Sequence, residues 1–493
     1  MKKNVLALSI AAAVAGLGAM GSAHAIDTVL VPGADVDGLI AGKVLPAGAA
    51  AATGLARSAT GTGNLLVVPY YTAQGTNATL VNLVNTDEVN GKAVKLRFRG
   101  AANSDDVFDF QVFLSPADVW TANISASADG FAQILSNDNS CMKGLTKGVA
   151  TKFSTLRTGG GTNGNSTREG YLEILNMADI PAVNTVVSTT GVAIATGANA
   201  VYNGVLHNAG TATCAGLTGL DSGNLNGLSY PTTGLAANWI IINLATAAAF
   251  GGEADAAALT GGAPAVGNIV YFPQTNVLVG TEVAPAFTAD DLLTSGKVLA
   301  LQQDLPDLST PYVSSVVSPL AQSNLLAGAF LSATVGDEYL VDSATLKIGA
   351  ATDIVYSFPT RRYSVTTAAA TLAGKPTTAF AGATFSGSCL VGITVKAYDQ
   401  NEQTPSTVVP SPSAIPQFCG EVGVAGVNQV IATGGTTAVL GANISSQGLD
   451  ATYNAGWLKV GFGRPLPVLG GRFTIAASGT SNFGVNSRHI TLN

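Results

Sequence analysis

Alternating hydrophobic and polar positions run through the first half of the chain and predict β-strands. Residues 94–99 alternate without a break, and residues 108–114 keep the same period of two. In the first run, one side is apolar and the other basic: Val94, Leu96 and Phe98 against Lys95, Arg97 and Arg99. Such a pattern is typical of an antiparallel sheet with one face in the core and one in water. We therefore expect an antiparallel meander whose basic face is solvated.

Short apolar runs bounded by turn residues predict further strands along the chain. They cover residues 65–68, 79–85, 171–175, 239–244, 354–358, 390–398, 456–462 and 472–476. Asn90-Gly91 is a strong hairpin signal between two of these strands. The middle of the chain differs, because residues 245–250, 253–259 and 290–303 are compatible with helices, and residues 323–333 with either helix or strand.

These patterns predict a mainly β fold, an antiparallel β-sandwich of the Ig-like or jelly-roll-like kind with long loops and a small helical insertion in the middle. We divide the chain into a signal peptide (1–25), an N-terminal arm (26–62), a β-sandwich region (63–245), a mixed insertion with short helices (246–335) and a C-terminal β region (336–493). The arm is interpreted as a flexible loop or as a strand that pairs with a neighbouring subunit.

The first 25 residues are typical of an export signal. Lys2 and Lys3 precede an apolar stretch, and Ala23-His24-Ala25 offers the small residues that a signal peptidase requires. The apolar stretch is shorter than the roughly 20 residues of a membrane-spanning helix. We expect the mature chain to begin at Ile26 and to be exported.

Composition excludes several classes of protein. Only 11% of residues are charged, against about 25% in ordinary soluble proteins. The formal net charge of −7 leaves no basic surface for nucleic acid. A hydrophobic content of 47% is too high for a disordered chain. A Gly-, Ala- and Thr-rich exported β-protein remains.

Four cysteines suit an oxidising compartment: Cys141, Cys214, Cys389 and Cys419. They contain no CxxC motif, and the mature chain has only two histidines, which disfavours zinc. Three pairings are possible, and we favour neighbour pairing, Cys141 with Cys214 and Cys389 with Cys419. Each bridge would then contribute about 3.5–4.5 kcal/mol in the chain-entropy model.

Candidate chemistry is sparse. Asp105, Asp106 and Asp109 are weak candidates for calcium, although solvated turn acids are the more common alternative. His207 and His489 are the remaining candidate bases, and no GxSxG motif accompanies them. The basic face of residues 95–99 is a wet sheet face, or a surface that docks lipopolysaccharide or a neighbouring subunit. We expect no catalytic residues and no cofactor other than calcium.

Several segments together resemble a known group of proteins. These are Leu65–Tyr71, Val84–Thr86, Val94–Arg99, Asn103–Phe110, Leu114–Trp120, Thr167–Tyr171, Phe358–Tyr363, Cys389–Tyr398 and Gly456-Trp457. In this order they are similar to exported cell-surface proteins of β-proteobacteria, including surface-layer proteins of the Comamonas and Delftia type. The resemblance implies a coat or sheath role and provides no catalytic residues.

Three functions follow as hypotheses. The first is a structural cell-surface protein, a self-assembling surface-layer or sheath subunit on a Gram-negative envelope, whose partners are copies of itself. The second is an outer-membrane porin-like barrel, against which the 6% aromatic content and the non-aromatic end Ile490–Asn493 argue. The third is a secreted hydrolase or ligand-binding β-sandwich. We favour the first and expect no enzymatic activity.

Overall fold

A computed structural model of the chain describes residues 29–30, 45, 48–155, 158, 163–187, 193–222, 225–274, 306–313, 319–341, 349–363, 365–367, 380–382, 389–401, 416–432, 434–444, 446–478 and 481–492. The predicted signal peptide (1–25) and the predicted helix at 290–303 lie outside the described residues. Among the described residues, strands are by far the commonest element.

Between residues 29 and 270, the part of the chain that the structure describes contains twenty-one strands. They are β1 (Val29–Leu30), β2 (Ala50–Ala51), β3 (Gly54–Arg57), β4 (Leu65–Thr72), β5 (Asn77–Asn85), β6 (Gly91–Gly100), β7 (Asp106–Leu114), β8 (Val119–Ala126), β9 (Ala132–Leu135), β10 (Cys141–Lys143), β11 (Thr151–Lys152), β12 (Glu169–Ile180), β13 (Val183–Val187), β14 (Ala193–Ala198), β15 (His207–Asn208), β16 (Thr211–Ala212), β17 (Leu235–Asn243), β18 (Ala249–Glu253), β19 (Asp255–Thr260), β20 (Ala265–Val266) and β21 (Ile269–Val270).

The described part of the C-terminal half adds further strands and the longer helix. The strands are β22 (Leu331–Leu340), β23 (Gly349–Ser357), β24 (Val365–Thr367), β25 (Phe380–Gly382), β26 (Cys389–Leu390), β27 (Thr394–Asp399), β28 (Val422–Val427), β29 (Ser446–Leu449), β30 (Ala455–Pro467), β31 (Leu469–Ser478), β32 (Ser481–Arg488) and β33 (Ile490–Thr491). The helices are α1 (Ala200–Val205) and α2 (Pro319–Ala329), with 3₁₀ turns at Gly164–Thr167, Leu217–Ser222 and Arg361–Tyr363.

Two β-sandwiches organise these strands. The first combines a seven-stranded sheet, in the order β10-β7-β6-β12-β4-β19-β3, with a six-stranded sheet, β11-β9-β8-β5-β17-β18. The second combines a five-stranded sheet, β29-β28-β23-β31-β32, with a four-stranded sheet, β27-β30-β22-β33. Strand pairing within these four sheets is antiparallel, except that β28 and β29 are parallel. The predicted mainly β, sandwich-type fold is therefore confirmed.

Each core is filled by alternate side chains of facing sheets. In the first sandwich, the rings of Phe110 and Trp120 lie 5.4 Å apart across the two sheets. In the second, Tyr356 of β23 meets Phe462 of β30 at 6.3 Å. The cores are not separate, because Phe473 of β31 belongs to the first cluster of buried residues and packs 5.8 Å from Trp239.

The predicted strands agree with the structure, but the predicted hairpin at Asn90-Gly91 is wrong. β5 lies in the six-stranded sheet and β6 in the seven-stranded sheet, so this turn crosses from one sheet to the other. Asp87 shapes the turn by accepting hydrogen bonds from the backbone N–H groups of Val89 and Asn90. The simple meander is wrong for the same reason, since turn residues indicate a reversal without specifying which strands pair.

Two segments predicted as helix-compatible are not helical, and both contain strand residues. Residues 245–250 and 253–259 contribute β18 and β19, which pair with β17 and with β3 and β4. Their alanine content favours helix only weakly, and sheet pairing overrides that preference. Residues 323–333 include both states, because α2 ends at Ala329 and β22 begins at Leu331.

The N-terminal arm also differs from expectation in its described residues. β1 pairs with β21, β2 with β20 and β3 with β19, all within the same chain. The first sandwich therefore extends from residue 54 to residue 260, beyond the predicted limits of 63 and 245. Sequence alone did not reveal these pairings because the strands of the arm are two to four residues long.

Candidate functional site

Strand β6 carries four basic side chains that lie inside the protein. Lys95, Arg97 and Arg99 share its outer face, whereas Lys92 lies on the face of Val94, and all four bases are at most 3% exposed. Segments 268–274 and 306–313 cover the outer face, where Gln274 bonds Lys95 and Asp307 lies 3.5 Å from Arg99. Arg362 of segment 361–363 lies 3.8 Å from Asp307. The prediction of a solvated basic face is therefore wrong. Alternation identifies a polar face of a strand, but it does not tell whether later chain segments cover that face.

Each of these bases meets an acid from a neighbouring strand or a covering segment. Arg99 Nε lies 3.2 Å from Glu173 Oε1, and Arg99 Nη2 lies 3.5 Å from Asp307 Oδ2. The other pairs are Lys92 with Asp87 and Asp179, Lys95 with Asp109, and Arg97 with Asp106. We call these four bases and six acids the charged layer. Because a buried charge is costly unless it is paired, this matching allows the face to be covered.

The 3₁₀ turn Arg361–Tyr363 continues the charged layer toward the second sandwich. Arg361 Nη1 lies 3.1 Å from Glu421 Oε2, and neither side chain reaches solvent. Tyr363 donates a hydrogen bond to Asp307 at 2.8 Å. Burial raises the pKa of Glu421 to about 7, although Arg361 opposes the rise. These groups are closed to water, so their contacts are suited to holding the 3₁₀ turn against Glu421 and Asp307.

Two of the three calcium candidates, Asp106 and Asp109, belong to the charged layer. Asp106 pairs with Arg97 and Asp109 with Lys95, while Asp105 is 7% exposed. Burial would raise the pKa of Asp109, but Lys95 and Arg97 hold it well below its usual range. The carboxylates of Asp106 and Asp109 therefore face bases, and none of the three acids forms a solvated turn. The described residues include no group of three or more His, Cys, Asp or Glu side chains placed to hold a metal ion.

Two further buried carboxylates hold residues 434–444 where the sandwiches meet. Glu169 of β12 accepts hydrogen bonds from the backbone N–H groups of Asn443, at 2.6 Å, and Ile444, at 3.1 Å. Asp353 of β23 accepts from the N–H groups of Val439 and Leu440. One carboxylate from each sandwich thus anchors the same loop. Burial raises the pKa of both acids, while these hydrogen bonds oppose the rise.

The candidate bases His207 and His489 lie at separate places. His489 Nδ1 is 2.8 Å from Asp337, and its ring stacks on Tyr356 with centroids 4.9 Å apart. His489 is therefore part of the packing of the second sandwich. His207 Nε2 lies 3.6 Å from Asp118 at a partly exposed position. The structure does not bring the two histidines into one site.

A cleft of about 280 Å³ lies between the two sandwiches. Aromatic side chains and glycines line it, and its more exposed charges belong to Glu253 and Arg488. Among the described lining residues, Glu253 is the single carboxylate, whereas glycosidic hydrolysis ordinarily uses two. The cleft has the aromatic lining of a small-ligand site but a volume just below the usual range.

The structure contains the two disulfides named from the sequence, Cys141–Cys214 and Cys389–Cys419. The first connects edge strand β10 to the segment that follows α1, and the second connects β26 to the chain entering β28. Such bonds indicate an oxidising, extracytoplasmic environment. Among the described residues, no helix is long and apolar enough to span a membrane.

The sequence pattern did not identify most of the acids in the buried ion pairs or in the contacts with residues 434–444. Glu173 and Asp179 stand among apolar residues of β12, Asp353 lies in β23, and Glu421 directly precedes β28. An acid between apolar strand residues is itself a signal, because it needs a partner when it is buried. Glu169 and Arg361 have such partners in the backbone N–H of Asn443 and in Glu421.

Comparisons with known protein families, curated proteins and solved structures found no match to this chain.

Proposed function

We propose that the exported chain is a structural cell-surface protein, a subunit that packs against copies of itself in a surface layer or sheath. The observation that carries this proposal is where the charges lie. At least seventeen charged side chains are buried, out of only 23 basic and 30 acidic residues. About a third of an already small set of charges is thereby withdrawn from the surface. The remaining surface repels identical copies only weakly.

The internal ties support the same proposal. The charged layer and the loop anchored by Glu169 and Asp353 connect segments that are far apart in sequence. Two disulfides add covalent connections. A subunit of a coat outside the cell needs such resistance to unfolding, because it receives no help from cytoplasmic chaperones. A hydrolase would instead keep some of these acids open to a substrate.

Strand β32 offers a surface for contact between copies. Phe483 and Val485 point away from the protein and are 58% and 52% exposed. On the opposite face of β32, the Asn486 side chain bonds the backbone N–H and C=O of Gly251 in β18. β32 is the last strand of its sheet, and apolar side chains on an edge strand favour association.

The test is the assembly state of the mature, disulfide-bonded chain. We expect light scattering to show concentration-dependent growth and negative-stain images to show a regular array. The double variant Phe483→Asp/Val485→Asp places two negative charges on β32 and is expected to reduce assembly without lowering the melting temperature. Val430→Asp is the matched control, since Val430 is fully exposed in the loop after β28.

A wild-type chain that stays monomeric at high concentration, with and without calcium, would overturn the proposal. It would favour ligand binding at the cleft between the sandwiches. Equal loss of assembly in Val430→Asp and in the double variant would show that added charge, and not the β32 surface, controls association.

A further inference from the structure

Lys92 has an unusual position even within the charged layer. Its side chain is fully buried, and it stands directly opposite Asp179 in the pairing of β6 with β12. Lys92 Nζ lies 2.7 Å from Asp179 Oδ1 and 3.1 Å from Asp87 Oδ2. Thr232 Oγ1 is 2.8 Å from the same nitrogen. An amine that is closed to solvent is therefore held between two carboxyl groups.

Hydrogen-bond donors surround the Asp179 carboxyl group. The backbone N–H of Thr232 lies 3.2 Å from Oδ2, and the Thr232 hydroxyl lies 2.5 Å from the same oxygen. Asn176 Nδ2 donates to Oδ1 at 3.2 Å. Donors fixed in this way would stabilise negative charge that develops on an oxygen of Asp179 during attack at its carbonyl carbon.

We propose that Lys92 and Asp179 condense to form an isopeptide bond that covalently joins β6 to β12, with Asp87 as the proton-transfer group. Lys92 passes a proton to Asp87, and the neutral amine adds to Cγ of Asp179. A C–N bond forms as the C–O bond to the Asp179 hydroxyl breaks. That hydroxyl leaves as water with the proton held by Asp87, and the nitrogen then passes one more proton to Asp87, which releases it to solvent. One amine and one carboxylic acid thus give one amide and one water, without any oxidant or cofactor.

The protonation states of Asp179 and Asp87 favour this reaction. Burial raises the pKa of Asp179, although Lys92 opposes the rise, and the acid form is the better electrophile. Asp87 is only partly buried, and Lys92 and the backbone N–H groups of its turn lower its pKa overall. Asp87 is therefore ionised, and its contact with the amine makes it the group to which the ammonium proton can move. Fixed contact between reactants supplies the large effective concentration that the condensation needs.

The neighbouring pair Lys95 and Asp109 is an internal comparison. Arg97 lies 3.9 Å from Asp109, and with Lys95 it keeps the pKa of that carboxyl low despite burial. A permanently ionised carboxylate resists attack by an amine. We expect the Lys95 side chain to stay free while the Lys92 side chain is acylated. The proposal goes beyond surface assembly and does not depend on it.

Peptide mass spectrometry of the folded, exported chain tests the proposal. After reduction and trypsin digestion, we expect no cleavage after Lys92 and a branched peptide in which Lys92 is joined to Asp179 with the loss of one water. Lys92→Arg keeps the positive charge and is expected to abolish the branched peptide. Asp179→Asn is expected to give the same cross-link by loss of ammonia, since the amine can also attack an amide carbon.

Asp87→Asn tests the proton-transfer step. It keeps the size of the side chain but removes the base, and we expect the cross-link to form roughly 100-fold more slowly. Asp129→Asn, at an exposed ion pair with Lys152, is the control and should cross-link like the wild type. A folded wild-type chain that yields separate Lys92 and Asp179 peptides after prolonged incubation would overturn the proposal, whatever the variants do.

Discussion

At the scale of single residues, burial of paired charges is the feature that distinguishes this chain. A buried ion pair gains little net stability over an apolar pair, but loss of one partner is costly. Arg99, Arg361 and Lys92 each keep an acid within about 3.2 Å. These residues therefore specify which segments meet, and their main energetic effect appears when a partner is removed.

Because of Glu421, the free energy of unfolding should decrease as pH rises from 5 to 8. Burial raises its pKa from 4.5 to about 7 in the folded chain. Between pH 4.5 and pH 7 the folded state therefore binds more protons than the unfolded state. The contribution of Glu421 to stability is complete below pH 4.5 and is lost as pH rises through 7. The full decrease in unfolding free energy that Glu421 causes is about 3 kcal/mol.

The measurement is chemical unfolding at pH 5 and pH 8. We expect the decrease in unfolding free energy between the two values to be smaller in Glu421→Gln than in the wild type, because glutamine does not titrate. Glu253→Gln, at an exposed position, should leave the decrease unchanged. An equal decrease in wild type and Glu421→Gln would contradict the assignment.

At the scale of elements, the sequence predicts strands well and their partners poorly. The alternation around Val94 and the apolar run at Leu65 identify β6 and β4, because both depend on local side-chain pattern. The sheet to which β6 belongs depends on pairing with β12, about 80 residues later. The covering of its basic face depends on Gln274 and Asp307, which lie still farther along the chain. Local pattern contains no information about such distant contacts.

Asn486 should be the most sensitive position in the contact between β32 and β18. Its side-chain amide accepts from the N–H of Gly251 at 3.0 Å and donates to the C=O at 2.8 Å, replacing a missing strand pair. Asn486→Ala removes both hydrogen bonds and is expected to lower the unfolding free energy by about 1–3 kcal/mol. Chemical unfolding measures this loss.

The control for that variant is Asn238→Ala. Asn238 accepts a single exposed hydrogen bond from Asn82 on the outer face of the six-stranded sheet. We expect its replacement to change stability by less than about 0.5 kcal/mol. Similar losses in the two variants would mean that the Asn486 amide does not connect the sandwiches.

At the scale of the whole molecule, the two sandwiches should unfold together. They share a core through Phe473 and Trp239, and Glu169 and Asp353 bind nearby positions of one loop. A cooperative unit arises when neither part can lose its structure without exposing buried groups of the other. We therefore expect a single calorimetric transition for the disulfide-bonded wild type.

Removal of one anchor should separate the transition into two. Glu169→Ala leaves the N–H groups of Asn443 and Ile444 and the amide of Gln74 without their acceptor, a loss of about 3–5 kcal/mol at the junction. Differential scanning calorimetry should then resolve two transitions, whereas Asp129→Ala, at an exposed pair, should keep one. Two transitions in the wild type, or a uniform shift of a single transition in Glu169→Ala, would show that the junction does not couple the sandwiches. The coupling is expected because the loop anchored at this junction is bonded to a buried carboxylate from each side.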